Sequence, residues 1–183
     1  MLNVPNAITV ARLILVPVTA YFLIIGAYGI ALIVFLTAAV TDLIDGFIAR
    51  TFRITSTLGA TLDPIADKLN MFVATVLLAW QGLMPIWLAI AIVARDIVIV
   101  GGALAYRLAV GHVEMVPTKL PKVNTFIEFS ALLLVMATAA GVVEIGAWLS
   151  AVFLLVLATV LASGGQYVWV WGRKAALERR RTS

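Results

Sequence analysis

Six apolar runs, each near the ~20 residues a helix needs to cross a bilayer core, make up most of the chain. They extend from about Pro5 to Ile25, Ile30 to Thr51, Thr57 to Trp80, Pro85 to Arg107, Pro121 to Ala140 and Ala147 to Trp171. Soluble domains carry about 25% charged residues. This chain carries 12%, against 63% hydrophobic residues and a mean hydropathy of +1.12. A chain this apolar would expose large sticky patches in water, so lipid is its expected solvent. The expectation is an all-α integral membrane protein of six transmembrane helices, forming one domain over residues 1–183 without linker or internal repeat.

Charge sets the expected orientation. Arg50, Arg53, Arg107, Lys119, Lys122, Arg173, Lys174, Arg179, Arg180 and Arg181 all fall in the links at 50–56 and 107–122 or in the tail. The turns near 27, 82 and 143 hold no Lys or Arg. By the positive-inside rule both termini are cytoplasmic. Arg12 sits within the first run, whereas a cleaved signal peptide places its cation before the apolar core, so this run reads as a retained helix. The tail after Trp171 is basic and is expected to fray. Trp148, Trp169 and Trp171 lie near span ends and fit an interfacial belt. The net charge of +4 gathers at the ends of apolar spans, which points to membrane lipids and phosphates as partners and not to nucleic acid. With no Cys, a disulfide framework and a thiolate metal site are both excluded.

Four of the nine acidic residues crowd between Asp42 and Asp67. Asp42 and Asp45 are i and i+3; Asp63 and Asp67 are i and i+4. On helices each spacing puts both carboxylates on one face. A carboxylate inside a membrane costs roughly 2.5–3.5 kcal/mol on insertion scales, so a cluster of four needs a purpose. Four like charges that close repel and do not all stay ionised, whereas two dications balance them. Oxygen-only ligands select a hard cation, Mg²⁺ or Mn²⁺, with two ions expected. A solvated cytoplasmic rim and a proton or cation path, as in a small ion or proton transporter, are the competing readings of the cluster.

The full spacing is D-x2-D-G-x2-A-R-x8-G-x3-D-x3-D. It resembles the signature of the CDP-alcohol phosphatidyltransferases, with every fixed position present. The resemblance implies a polar, metal-binding cavity open to the cytoplasm and transfer of a phosphatidyl group from CDP-diacylglycerol to an alcohol, releasing CMP. It implies that Asp42, Asp45 and Asp63 are the main metal ligands. Asp67 is then the general base while also touching a metal, and Gly46, Arg50 and Gly59 meet the nucleotide donor. The opening Pro5, Asn6, Thr9 and Arg12 is similar to the P-N-x-x-T-x-x-R of many bacterial members, which implies a donor-side role for Asn6 and Thr9. Helix-packing polar contacts are the alternative role for this stripe. The likeness also implies a homodimer and, for a bacterial member, the inner membrane.

The acceptor is read from fewer residues. Adjacent helix positions face one another poorly, so Arg95 is expected to point into an acceptor pocket and not to pair with Asp96. Lys119 and Lys122 are inside-rule charges that can also hold an acceptor phosphate. The segment Val116 to Glu128 resembles the P-T-x-x-S-K-x-N-T-x-x-Q segment of the CMP-forming cardiolipin synthase branch. Pro117, Thr118, Lys122, Asn124 and Thr125 match, while Pro121 stands for Ser and Glu128 for Gln. The phosphatidylglycerophosphate synthase branch has G-K-x-K-T there, with Asn124 in place of its second Lys. Less fixed charge favours phosphatidylglycerol over glycerol 3-phosphate as acceptor.

Overall fold

A computed structural model describes the backbone over residues 4–52, 57–110 and 119–182, and side chains over 13–41, 68–102 and 120–169. Among the described residues the regular elements are six helices: α1 (Val4–Ile24), α2 (Tyr28–Phe52), α3 (Thr57–Trp80), α4 (Ile86–Val110), α5 (Lys119–Ala139) and α6 (Gly146–Thr182). Each matches an expected span to within a few residues, with one clear departure. The tail expected to fray continues α6 to Thr182. Its A-A-L-E-R-R-R run is made of strong helix formers and lacks Gly and Pro, so nothing local stops the helix.

The chain divides into two compact units, one of residues 1–85 with 132–146, the other of residues 86–131 with 147–183. In the first unit α1 packs against both α2 and α3, which touch each other less. Its buried apolar side chains include Val16, Leu23, Phe35, Met71, Leu78 and Met136. The second unit buries Leu88, Ile92, Phe153, Val156 and Val160 among its apolar side chains.

The turns that end α1, α3 and α5 share one geometry. Gly26, Gly82 and Gly141 adopt φ of 74, 74 and 70°. The residue after each donates its N–H five residues back: Ala27 to Phe22, Leu83 to Leu78, Val142 to Ala137. This left-handed cap satisfies carbonyls that would otherwise end the helix unpaired. The Gln81 side chain adds a tie, donating Nε2 to the Leu23 carbonyl and so fastening the end of α3 to the end of α1.

Polarity is distributed as lipid requires. Trp80, Trp148, Trp169, Phe126, Ile33 and Ile97 are exposed, while Asn70, Thr75, Arg95, Asn124, Glu128 and Ser163 are buried. Hydroxyls on exposed helix faces bond their own backbone: Thr37 Oγ1 to Ile33 O at 2.7 Å, Ser130 Oγ to Phe126 O at 2.8 Å. They can therefore face hydrocarbon with no unmet donor. Among the described residues, Leu120–Ala139 and Gly146–Trp169 are long and apolar enough to cross a membrane. Leu13–Ile24, Tyr28–Thr41 and Lys68–Trp80 are apolar but shorter.

Candidate active site

Asp42, Asp45, Gly46 and Arg50 lie on α2, and Gly59, Asp63 and Asp67 on α3. Their side chains, with those of Asn6, Thr9 and Lys119, lie outside the described ones. Sequence register relates the motif positions to the described part of each helix. On α2 the inward positions are Ala31, Phe35 and Ala38. The next members of that 4-then-3 stripe are Asp42 and Asp45. On α3 the inward positions include Asn70, Met71, Ala74 and Leu78, and the stripe continues backward through Asp67 to Asp63. On α1 it passes from Leu23, Thr19 and Val16 back through Arg12 to Thr9, with Asn6 falling to its side. The first unit holds these three helices together with residues 132–146, and by sequence register the motif positions continue their buried stripes. Among the residues with described side chains, no three acidic or histidine groups gather as a metal site.

Arg95, Lys122 and Asn124 are the acceptor candidates with described side chains. Arg95 is 7% exposed on α4. Its Nη1 donates to Asp96 Oδ1 at 2.7 Å and its Nη2 to Ser163 Oγ of α6 at 2.8 Å. The neighbour pair that helix geometry disfavours does form. A long guanidinium can fold back along the helix to reach the adjacent carboxylate, and a buried charge without a counter-ion is costly. Arg95 Nε has no partner. Gly164 lies beside the arginine stem, where a Cβ would stand 3.6 Å from Arg95 Cγ.

Asn124 is fully buried on α5. Its Nδ2 donates to the buried Glu128 carboxylate at 3.3 Å, one turn on, and its Oδ1 has no partner. Lys122 is exposed, off that face. Buried polar residues outside the motifs include Thr19, Thr75 and Ser163, hydroxyls in apolar runs, and Asn70, an amide one turn beyond Asp67.

The profile of the CDP-alcohol phosphatidyltransferase family matches residues 2–163. The chain is 34% identical over 180 residues to a fission-yeast (Schizosaccharomyces pombe) cardiolipin synthase (CMP-forming) / mitochondrial hydrolase fusion protein, covering 90% of this chain and 30% of that one. It is 34% identical over 155 residues to human cardiolipin synthase (CMP-forming), covering 76% and 50%. It is 31% identical over 144 residues to the Rickettsia typhi CDP-diacylglycerol–glycerol-3-phosphate 3-phosphatidyltransferase, covering 77% and 80%. The chain thus spans at most half the length of the first two relatives. It belongs to the CDP-alcohol phosphatidyltransferase family.

Proposed function

We propose that the chain is an integral membrane enzyme of phospholipid synthesis that moves a phosphatidyl group from CDP-diacylglycerol to an alcohol. The observation that carries this reading is the complete aspartate signature at positions that continue the inward stripes of α2 and α3. In the reaction the acceptor hydroxyl oxygen attacks the phosphorus that bears the diacylglycerol. The bond from that phosphorus to the CMP oxygen breaks, CMP leaves with the bonding pair, and Asp67 receives the hydroxyl proton. Asp42, Asp45 and Asp63 offer only oxygen ligands, which fit Mg²⁺ or Mn²⁺. When bound, such an ion supplies positive charge against the diphosphate. Arg50 can grip the diphosphate bidentately. Gly46 and Gly59 let the nucleotide approach the backbone, with Asn6 and Thr9 on the donor side.

As acceptor we infer phosphatidylglycerol, giving cardiolipin, with Arg95, Lys119, Lys122 and Asn124 on the acceptor side. Support comes from the 34% identity to two cardiolipin synthases and from the neutral, buried amide of Asn124. Glycerol 3-phosphate is the second reading, favoured by the Rickettsia relative, of which the chain covers 80%. Purified protein given CDP-diacylglycerol and equal concentrations of both acceptors should make mainly cardiolipin. Dominant phosphatidylglycerophosphate overturns the acceptor, and absence of CMP release with either returns the chain to the transporter reading.

We also infer six spans with both termini and the 107–122 link cytoplasmic. The charge asymmetry and the inverted polarity of the helix surfaces support it. The family match runs across both units, which supports a single domain. A membrane-impermeant thiol reagent applied outside should label Glu144→Cys and spare Thr118→Cys; equal labelling refutes the topology.

A further inference from the structure

Asn70 is 5% exposed on α3, and its Oδ1 has no hydrogen-bond partner. Leaving a buried acceptor unmet costs about 1–3 kcal/mol. Leu69 beside it is exposed and apolar, as a lipid-facing position should be. The amide stands instead on the inward stripe, three residues beyond Asp67 and seven beyond Asp63 on an unbroken helix. Positions i and i+3 are neighbours, with Cβ atoms about 5–6 Å apart. A buried acceptor atom with no protein donor therefore lies one helical turn from the residue assigned to take the attacking hydroxyl's proton.

The two acceptors weighed above differ in charge and size but share one feature. In both, the terminal hydroxyl that can attack has a second hydroxyl on the adjacent carbon. We propose that Asn70 is a specificity-determining residue that reads this vicinal diol: its Oδ1 accepts a hydrogen bond from the hydroxyl next to the attacking one. The proposal rests on the phosphatidyltransferase reading but not on which of the two acceptors is used. The second hydroxyl meets the orphaned amide oxygen, and its bond to Asn70 turns the first toward Asp67. A mono-alcohol leaves the amide oxygen unmet and its own attacking hydroxyl less well oriented.

The experiment measures CMP release by the full chain with CDP-diacylglycerol and two acceptors. One is phosphatidylglycerol; the other is phosphatidyl-1,3-propanediol, which keeps the terminal hydroxyl and lacks the middle one. Glycerol 3-phosphate and 3-hydroxypropyl phosphate form the matching soluble pair. Wild type should favour the diol of a pair by about tenfold or more in kcat/KM. Asn70→Leu, close in volume, should erase that preference by slowing the diol alone, with donor KM unchanged. Asn70→Ser, which keeps a short polar atom, should retain part of it. Equal use of diol and deoxy acceptor by wild type overturns the proposal, as does an equal loss on both acceptors in Asn70→Leu. Absence of CMP release with every acceptor is a different failure, because it removes the transferase reading itself.

Discussion

The aspartate face of α2 and α3 and the arginine knot of α4 and α6 hold charge inside an apolar chain in opposite ways. On the proposed reading, Asp42, Asp45, Asp63 and Asp67 bring like charges together from two consecutive helices, and cations supplied from outside would offset their repulsion. Arg95 carries its own compensation, with Asp96 at 2.7 Å and the Ser163 hydroxyl at 2.8 Å. On that reading the first arrangement is completed by a cation that binds. The second is largely complete, and only its unpartnered Nε is left to offer. Chemistry should therefore be lost abruptly when the first is altered, and gradually when the second is.

The largest effect should come from the aspartates, and it should divide by role. Asp67→Asn should cut turnover by about 10²–10⁴-fold, the range for loss of a general base, while CDP-diacylglycerol still binds. Asp42→Asn and Asp63→Asn should lose the metal and, with it, donor affinity. Stripping wild type with excess chelator should reproduce the Asp42→Asn defect in donor binding, and Mg²⁺ or Mn²⁺ should restore it. Equal loss of donor binding in Asp67→Asn and Asp42→Asn would show that Asp67 is mainly a ligand. Full activity in chelator would remove the distinction between the two regions altogether.

Next in size is the arginine. Arg95→Ala removes a buried cation and leaves Asp96 and Ser163 without it. If Arg95 serves the acceptor, kcat/KM for acceptor should fall by roughly 10²-fold while donor KM holds. Ser163→Ala keeps the charge and removes one charge-assisted hydrogen bond, a loss of about 1.5 kcal/mol. It should lower the thermal midpoint and raise acceptor KM only a few-fold. A Ser163→Ala protein with unchanged acceptor KM and a lowered midpoint would make the knot a structural fastening.

These two regions also differ in how far the sequence discloses them. The aspartate signature is legible as a motif because its spacing is short-range, and its role as a site is a proposal. Within one helix, i+3 and i+4 already mean one face, and the intervening glycines and arginine sit in the same stretch. The helices were legible for the same reason, since each apolar run is contiguous. The Arg95 to Ser163 bond was not, because its partners are 68 residues apart and a serine in an apolar run has no spacing signature. The Arg95 to Asp96 pair was misjudged because the local rule treats side chains as fixed at their Cβ directions, whereas a long guanidinium can bend back. Asn70 was visible as a residue but not as an orphan, since burial and missing partners exist only in three dimensions. The extension of α6 shows a further bias. Charge was read as a reason to fray, although Arg, Ala, Leu and Glu are all good helix formers.

The smallest predicted effect separates the units by sign. Gly82 caps α3 in the first unit with φ of 74°, and a Cβ built there meets nothing within 4 Å. Gly101 lies inside α4 in the second unit, with no left-handed φ and equally open space around a Cβ. Alanine therefore adds no clash at either position, and only the backbone decides. At Gly82 an L side chain in the left-handed region costs roughly 1–2 kcal/mol. At Gly101 alanine relieves the helix penalty of glycine, roughly 0.5–1 kcal/mol. Thermal unfolding of the purified protein should show Gly82→Ala lowering the midpoint by a few degrees, about 2–4 °C per kcal/mol for a chain of this size. Gly101→Ala should raise it by less. Because neither position carries a proposed catalytic residue, CMP release at low temperature should be the same in both. An unchanged midpoint in Gly82→Ala would mean that the left-handed turn does not close α3. A drop in Gly101→Ala would mean that its open side is covered in the membrane, by lipid or by another chain, where only a hydrogen fits.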